Sequence, residues 1–115
     1  KFDIILKRNN SNNLLLTLFY DTDIFELNQS QKQSIEKTLL AINNKFEKKY
    51  IIYGYADEIG TMDYNFSLSQ KRAMIFKEYL IKLGISPHKI KIIGKGEDNK
   101  HFDTKFNRRT ELYIE

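Results

Sequence analysis

The stretch "GYADEIGTMDYNFSLSQKRAMIFKEYL", Gly54 to Leu80, decides how this chain folds. Its first residues close "YIIYGYA", Tyr50 to Ala56, an apolar run of strand length. A turn carrying Asp57 follows, with Gly54 and Gly60 on either side to allow tight backbone. A long helix is then expected from about Asn65 to Leu83, stopped by Gly84 as its C-cap with Pro87 just beyond. Leu68, Phe76, Tyr79 and Leu83 form the stripe such a helix buries, and Arg72 falls in line with them.

A guanidinium on an apolar stripe has a plain explanation: the stem packs and the head reaches water. A lone Asp57 likewise caps the turn or the helix. Together the two residues allow more. Asn65, Leu68 and Arg72 stand at i, i+3 and i+7, so one helix face presents an amide, an apolar contact and a guanidinium. The turn carrying Asp57 feeds into that face. Asp57 and Arg72 either pair with each other or grip a ligand that bears both an ammonium and a carboxylate, such as the free end of an amino acid.

Outward from this stretch, the remaining segments follow a simple order. Phe2 to Leu6 reads as an edge strand, "RNNSNN" as a turn, and Leu14 to Tyr20 as a second strand, expected as its hairpin partner. Asn28 or Ser30 can cap a helix whose apolar face is Ile35, Leu39, Ile42 and Phe46. "KIKIIGKG" supplies a strand at Lys89 to Gly94, and "RRTELYIE", Arg108 to Glu115, the last one. The expected fold class is α/β, an α+β sandwich with one mixed sheet and two long helices on one face, in the order β-β-α-β-α-β-β.

Composition sets the bounds. The chain has 115 residues, 41% hydrophobic and 13% aromatic, enough for one core and one domain over 1–115. It has no cysteine, which excludes a disulfide framework and a thiolate metal site. The net charge of +4 is dispersed along the sequence, which favours solubility over a nucleic-acid stripe. No apolar run is long enough to span a bilayer, so membrane attachment is expected only through an anchor outside this chain.

Other constellations carry no chemistry. "DTDIFELNQSQK" lacks the turn glycine and terminal glutamate of a calcium loop. His88 and His101 have no metal-binding spacing, and "GKGE", Gly94 to Glu97, is too short for a phosphate loop and reads as a turn clearing a sheet edge. Glu58 and Asp63 are acids without a nucleophile or metal triad beside them. No cofactor, no metal and no catalytic residue is expected.

"GYADEIGTMDYNFSLSQKRA" resembles the signature of the OmpA-like peptidoglycan-binding domain, G-H-[TA]-D-x-x-G-x-x-x-[YL]-N-x-x-L-S-x-x-R-A. Its "ADEIGTMDYN" is most similar to the peptidoglycan-associated lipoprotein branch. "LFYDTDIFEL" resembles the family's F-x-x-D loop, "GISPHKIKIIGKGE" its later strand segment, and "FNRRTELYI" its N-R-R-V-E-I close. The motif-bearing core runs from about Leu14 to Ile114. The resemblance implies that Asp57 and Arg72 bind the diamino acid of the peptidoglycan stem peptide, diaminopimelate in most walls. It implies that Asn65 shapes the pocket, Leu68 lies under it, Asp23 lines it and Arg109, the second arginine of N-R-R, joins it. Asn107 and Arg108 are implied as structural or rim positions. Two departures stand out: the motif histidine is Tyr55, and the proline usually found after G-E is missing from the loop Asp98 to Phe106.

The resulting expectation is a non-catalytic module that anchors an outer-membrane protein or lipoprotein to the cell wall in the periplasm. The alternative is a protein-interaction module of the same fold, with Tol-system proteins or a flagellar stator as its setting. A nucleic-acid partner is not expected.

Overall fold

The computed structural model describes residues 13–115. Over these the chain runs β1 (Leu14–Phe19), α1 (Gln29–Leu40), β2 (Tyr50–Ala56), α2 (Met62–Lys82), β3 (Ile90–Glu97) and β4 (Arg109–Ile114), with short 3-10 turns at Pro87–Lys89 and Thr104–Phe106. The strand expected at Phe2 to Leu6 lies outside the described residues. The four described strands form one sheet in the order β1-β4-β2-β3. The last strand, β4, runs antiparallel to both β1 and β2, while β2 and β3 are parallel and joined by α2, as a helical crossover permits. This is the expected mixed sheet.

Burial alternates along β2: Tyr50, Ile52, Gly54 and Ala56 are buried, while Ile51, Tyr53 and Tyr55 are half-buried. The period of two sends the first set under the helices. Ile35 and Leu39 of α1 and Ala73, Phe76 and Leu80 of α2 share one core with Leu18, Ile52, Ile90 and Leu112 of the sheet. Both helices therefore cover the same face, and each large apolar side chain buried there contributes roughly 1.5–3 kcal/mol. Tyr79 donates to Glu36 across the two helices.

Local chemistry sets the helix ends. Asn28, of the two candidate caps, accepts from the Gln31 N–H at 2.8 Å while the Gln31 side chain accepts from the Asn28 N–H at 2.8 Å, a reciprocal box. The first helix stops at Leu40, earlier than its apolar pattern implied, and Ile42 and Phe46 fall in the turns beyond it. Asn44 adopts φ 57° there, a conformation asparagine tolerates better than most residues. The second helix begins at Met62, where the Thr61 hydroxyl accepts from the Tyr64 N–H at 3.1 Å. It ends as expected at Gly84, whose φ is 107°. There the Gly84 N–H donates to the Ile81 carbonyl at 2.9 Å and the Ile85 N–H to the Leu80 carbonyl at 3.0 Å.

"GKGE" is not the expected turn but the end of β3. Gly54 stands opposite Gly94 while Ala56 stands opposite Glu97, so β3 carries an extra residue in a bulge, with Gly96 at φ 75°. Ser69 of α2 accepts from the Gly96 N–H at 2.9 Å. The helix sits this low because Gly54 has no side chain: a Cβ there would overlap the Ser69 carbonyl oxygen. Gly54→Ala must therefore lift α2 from the sheet, and we expect a loss of about 2 kcal/mol or more, read as a lower midpoint in thermal or urea unfolding. An unchanged midpoint would show that the helix can move freely at this point.

Candidate ligand-binding site

The end of β2, the N-terminal half of α2, the loop 20–27 and the start of β4 converge on Asp57. The residue is 4% exposed. One carboxylate oxygen accepts from the Ile59 N–H at 3.2 Å, and the other takes an N–H of Arg108 at 2.9 Å. Arg72 lies behind this pair and is 0% exposed. Its head does not reach water, contrary to the plain reading of a stripe arginine. Nε donates to the Ile24 carbonyl at 2.8 Å, and the two terminal nitrogens donate to the carbonyls of Tyr55 at 2.9 Å and Asp21 at 3.2 Å. The guanidinium also lies over the Tyr20 ring, 4.8 Å from its centroid. Burial lowers the Arg72 pKa, opposed by Tyr20 and Asp57, and the group remains a cation. Burial likewise raises the Tyr20 phenol to about 12, although its hydrogen bond to Thr110 and the Arg72 charge work against this.

The structure brings Arg108, rather than Arg109, to Asp57. Strand alternation is the reason. Thr110 and Leu112 of β4 are buried on the helix side, and Arg108 precedes them by the same period of two. Its Nε donates to the Tyr20 carbonyl at 2.8 Å. Arg109 takes the other side. It pairs with Asp98 and Glu111, both at 2.7 Å, and stacks on Tyr55 at 3.9 Å from the ring centroid. The Tyr55 ring, at the motif-histidine position, thus belongs to Arg109, and only its carbonyl reaches Arg72. Asn107 brackets the loop after β3, accepting from the His101 N–H at 3.0 Å and donating to the His101 carbonyl at 3.1 Å. Counting back by twos from Leu112 was the signal in the sequence that could have found Arg108.

The other expected residues lie on the same elements. Asn65 is 1% exposed and donates to Glu97 at 3.1 Å, a partner the sequence reading missed. Leu68 is buried at 6% exposure in the following turn of α2. Asp23 sits at φ 63° and accepts from the Tyr64 hydroxyl at 2.8 Å, which ties the loop to the start of α2. Phe19, Tyr20, Asp21, Lys105, Phe106 and Arg108 line an adjoining depression of about 320 Å³. Among the described residues no group of acids and histidines is arranged to hold a metal ion. Chemically, the site is a buried carboxylate between two guanidiniums.

The family model of the OmpA family matches residues 19–112. Outer membrane protein A of Bordetella avium is 33% identical over 102 residues, 84% of this chain and 53% of that protein. A protein named peptidoglycan-associated lipoprotein, from Mesorhizobium japonicum, is 26% identical over 81 residues, 70% of this chain and 48% of that protein. The chain thus spans about half the length of these relatives. Among solved structures, the peptidoglycan-associated lipoprotein from Burkholderia pseudomallei superposes with a TM-score of 0.76 at 23% identity, covering 86% of this chain and 89% of that one. The C-terminal domain of Helicobacter pylori MotB superposes with a TM-score of 0.71 at 16% identity, covering 86% and 83%. Both structural likenesses concern the fold.

Two expectations follow from the geometry. Arg72→Ala strands three carbonyls and leaves a cavity under the loop, so it should destabilise the fold by about 3–5 kcal/mol, measured by urea unfolding. Stability should also fall in acid through Asp98. Burial pushes its carboxyl up, but the hydrogen bonds from Arg109 and the Lys100 N–H outweigh this and hold it below 3.8. A carboxyl depressed in the folded state stabilises fully above its unfolded value and loses that contribution as pH falls through the folded one. Asp98→Asn should flatten the stability profile below about pH 4, and an unchanged acid limb would remove Asp98 from the account.

Proposed function

The chain belongs to the OmpA family, and we propose that it is a non-catalytic peptidoglycan-binding module that grips the diamino acid of the stem peptide. The observation that carries this reading is the buried Asp57 carboxylate set between Arg72 and Arg108. A diaminopimelate terminus carries an ammonium and a carboxylate on one carbon. The ammonium would take Asp57, and the carboxylate would meet Arg108, whose side chain is 14% exposed. Arg72, itself fully buried, would add only its charge from behind the pair. Asn65, Leu68 and Asp23 would shape the walls, and Arg109 would act only by holding Asp98 and Glu111. At roughly 4 Å one such charge pair is worth about 1 kcal/mol in water and about 4 kcal/mol at an effective dielectric near 20. Affinity should therefore be modest.

On this reading the domain works in the periplasm and ties an outer-membrane protein or lipoprotein to the wall. A second reading, a protein-interaction module of the same fold with Tol-system or stator partners, is favoured by Ile59, Met62 and Phe66. These lie near the start of α2 and are 59%, 75% and 47% exposed.

Co-sedimentation with purified insoluble peptidoglycan separates the two. Asp57→Asn should keep the fold and lose binding by about 2 kcal/mol or more, because the ligand's ammonium loses its charged partner. Calorimetry with tripeptides differing only at the third residue should rank diaminopimelate above lysine. Wild-type sedimentation by a folded Asp57→Asn protein, or equal affinity for the two peptides, would remove the zwitterion grip. No sedimentation by the wild-type chain would favour the interaction module.

A further inference from the structure

The end of the domain away from Asp57 carries a different surface. β2 begins there at Tyr50 and ends at Ala56 beside the cleft, a span of about 20 Å for a strand of this length. Two turns, 41–49 and 83–89, meet at that far end. The Phe46 ring lies so close to Gly84 that a Cβ there would stand 3.0 Å from it. The Glu115 N–H donates to the Lys49 carbonyl at 2.8 Å, bringing the end of β4 to the same place. Lys49, His88, Lys89, Lys91 and Glu115 line one depression.

Charge that the linear sequence disperses is gathered here. Six lysines, at 45, 48, 49, 82, 89 and 91, stand in or beside these turns, against the acids Glu47 and Glu115. Glu115 is paired with Lys91 at 3.7 Å in a solvated contact. Apolar side chains adjoin the lysines. Phe46 is 51% exposed and Leu40 is 77% exposed, and Leu40 lines a groove with Glu36, Leu39, Lys45 and Leu83, the Glu36 carboxylate being engaged by the Tyr79 hydroxyl. β1 also enters the sheet at this end, with Leu14 opposite Tyr113.

We propose that this pole is a peripheral contact for an anionic lipid surface. The lysines would face headgroup phosphates, and Leu40 and Phe46 would enter the boundary between headgroups and acyl chains. This is a membrane contact of the domain itself, additional to any anchor outside this chain. Exposed apolar tips beside the lysines favour a bilayer over a nucleic acid, whose backbone offers such side chains no apolar phase. The pole and the cleft lie at opposite ends of β2, so both could be engaged at once.

The experiment is flotation of the chain with phosphatidylglycerol-containing vesicles and with phosphatidylcholine vesicles, with a short DNA duplex as a second polyanion. Binding to the anionic vesicles alone is expected, weakened by raising salt to about 0.5 M. The triple variant Lys48→Glu, Lys49→Glu, Lys89→Glu should lower that binding roughly tenfold or more, and Phe46→Ser should lower it at constant charge. The triple Lys→Arg variant should retain it, and circular dichroism with thermal unfolding of every variant checks that the fold is intact. Absence of flotation, flotation indifferent to the charge reversals, or binding to DNA without binding to vesicles would each overturn the proposal.

Discussion

The buried guanidinium of Arg72 is the interaction on which the rest of the site depends. A cation removed from water is tolerated only where its N–H groups find acceptors. Arg72 finds three, the carbonyls of Asp21 and Ile24 in the loop after β1 and of Tyr55 in β2. These come from two segments far apart in sequence. The guanidinium thereby ties the loop to the strand. The helix reaches them because Gly54 lets it lie low on the sheet. Backbone geometry at one glycine thus sets the position of a charge, and that charge sets the shape of a loop.

Much of this was legible in the sequence, for reasons that differ by element. The strand at Tyr50–Ala56 and the helix stop at Gly84 follow from short-range chemistry, an apolar run and a glycine able to take positive φ. The early end of α1 was not legible, because Ile42 and Phe46 keep a helical spacing although the chain has already turned. Phe46 instead lays its ring against Gly84 while staying half exposed, a tertiary contact that periodicity does not record. The "GKGE" segment misled for a related reason: its glycines serve a bulge in a strand, where turn chemistry and strand chemistry look alike.

The site shows the same division. Proximity of Asp57 to the face carrying Asn65 and Arg72 could be read from spacing along one helix and one turn. What those spacings could not show is whom each charge meets. Adjacent arginines in "NRR" look interchangeable in sequence, yet the pleat sends Arg108 to Asp57 and Arg109 to Asp98 and Glu111. The difference is one residue of strand phase. The same phase puts the Tyr55 ring on the Arg109 side and leaves its carbonyl to Arg72.

On the proposed reading, the ion pair between Asp57 and Arg108 also bears on what kind of ligand the site would suit. Any ligand reaching Asp57 must compete with a guanidinium already bonded at 2.9 Å. A lone amine that took the carboxylate would release Arg108 with, among the described residues, the Tyr20 carbonyl as its remaining partner, near a second cation at Arg72. The attraction gained at Asp57 would then be offset by an unpaired charge in a partly dry site. A zwitterion avoids this, because its carboxylate satisfies the arginine that its ammonium displaced. The number of charge pairs rises by one, and no group is stranded. Discrimination of this kind rests on the penalty for the wrong ligand as much as on attraction for the right one, and it is compatible with modest affinity.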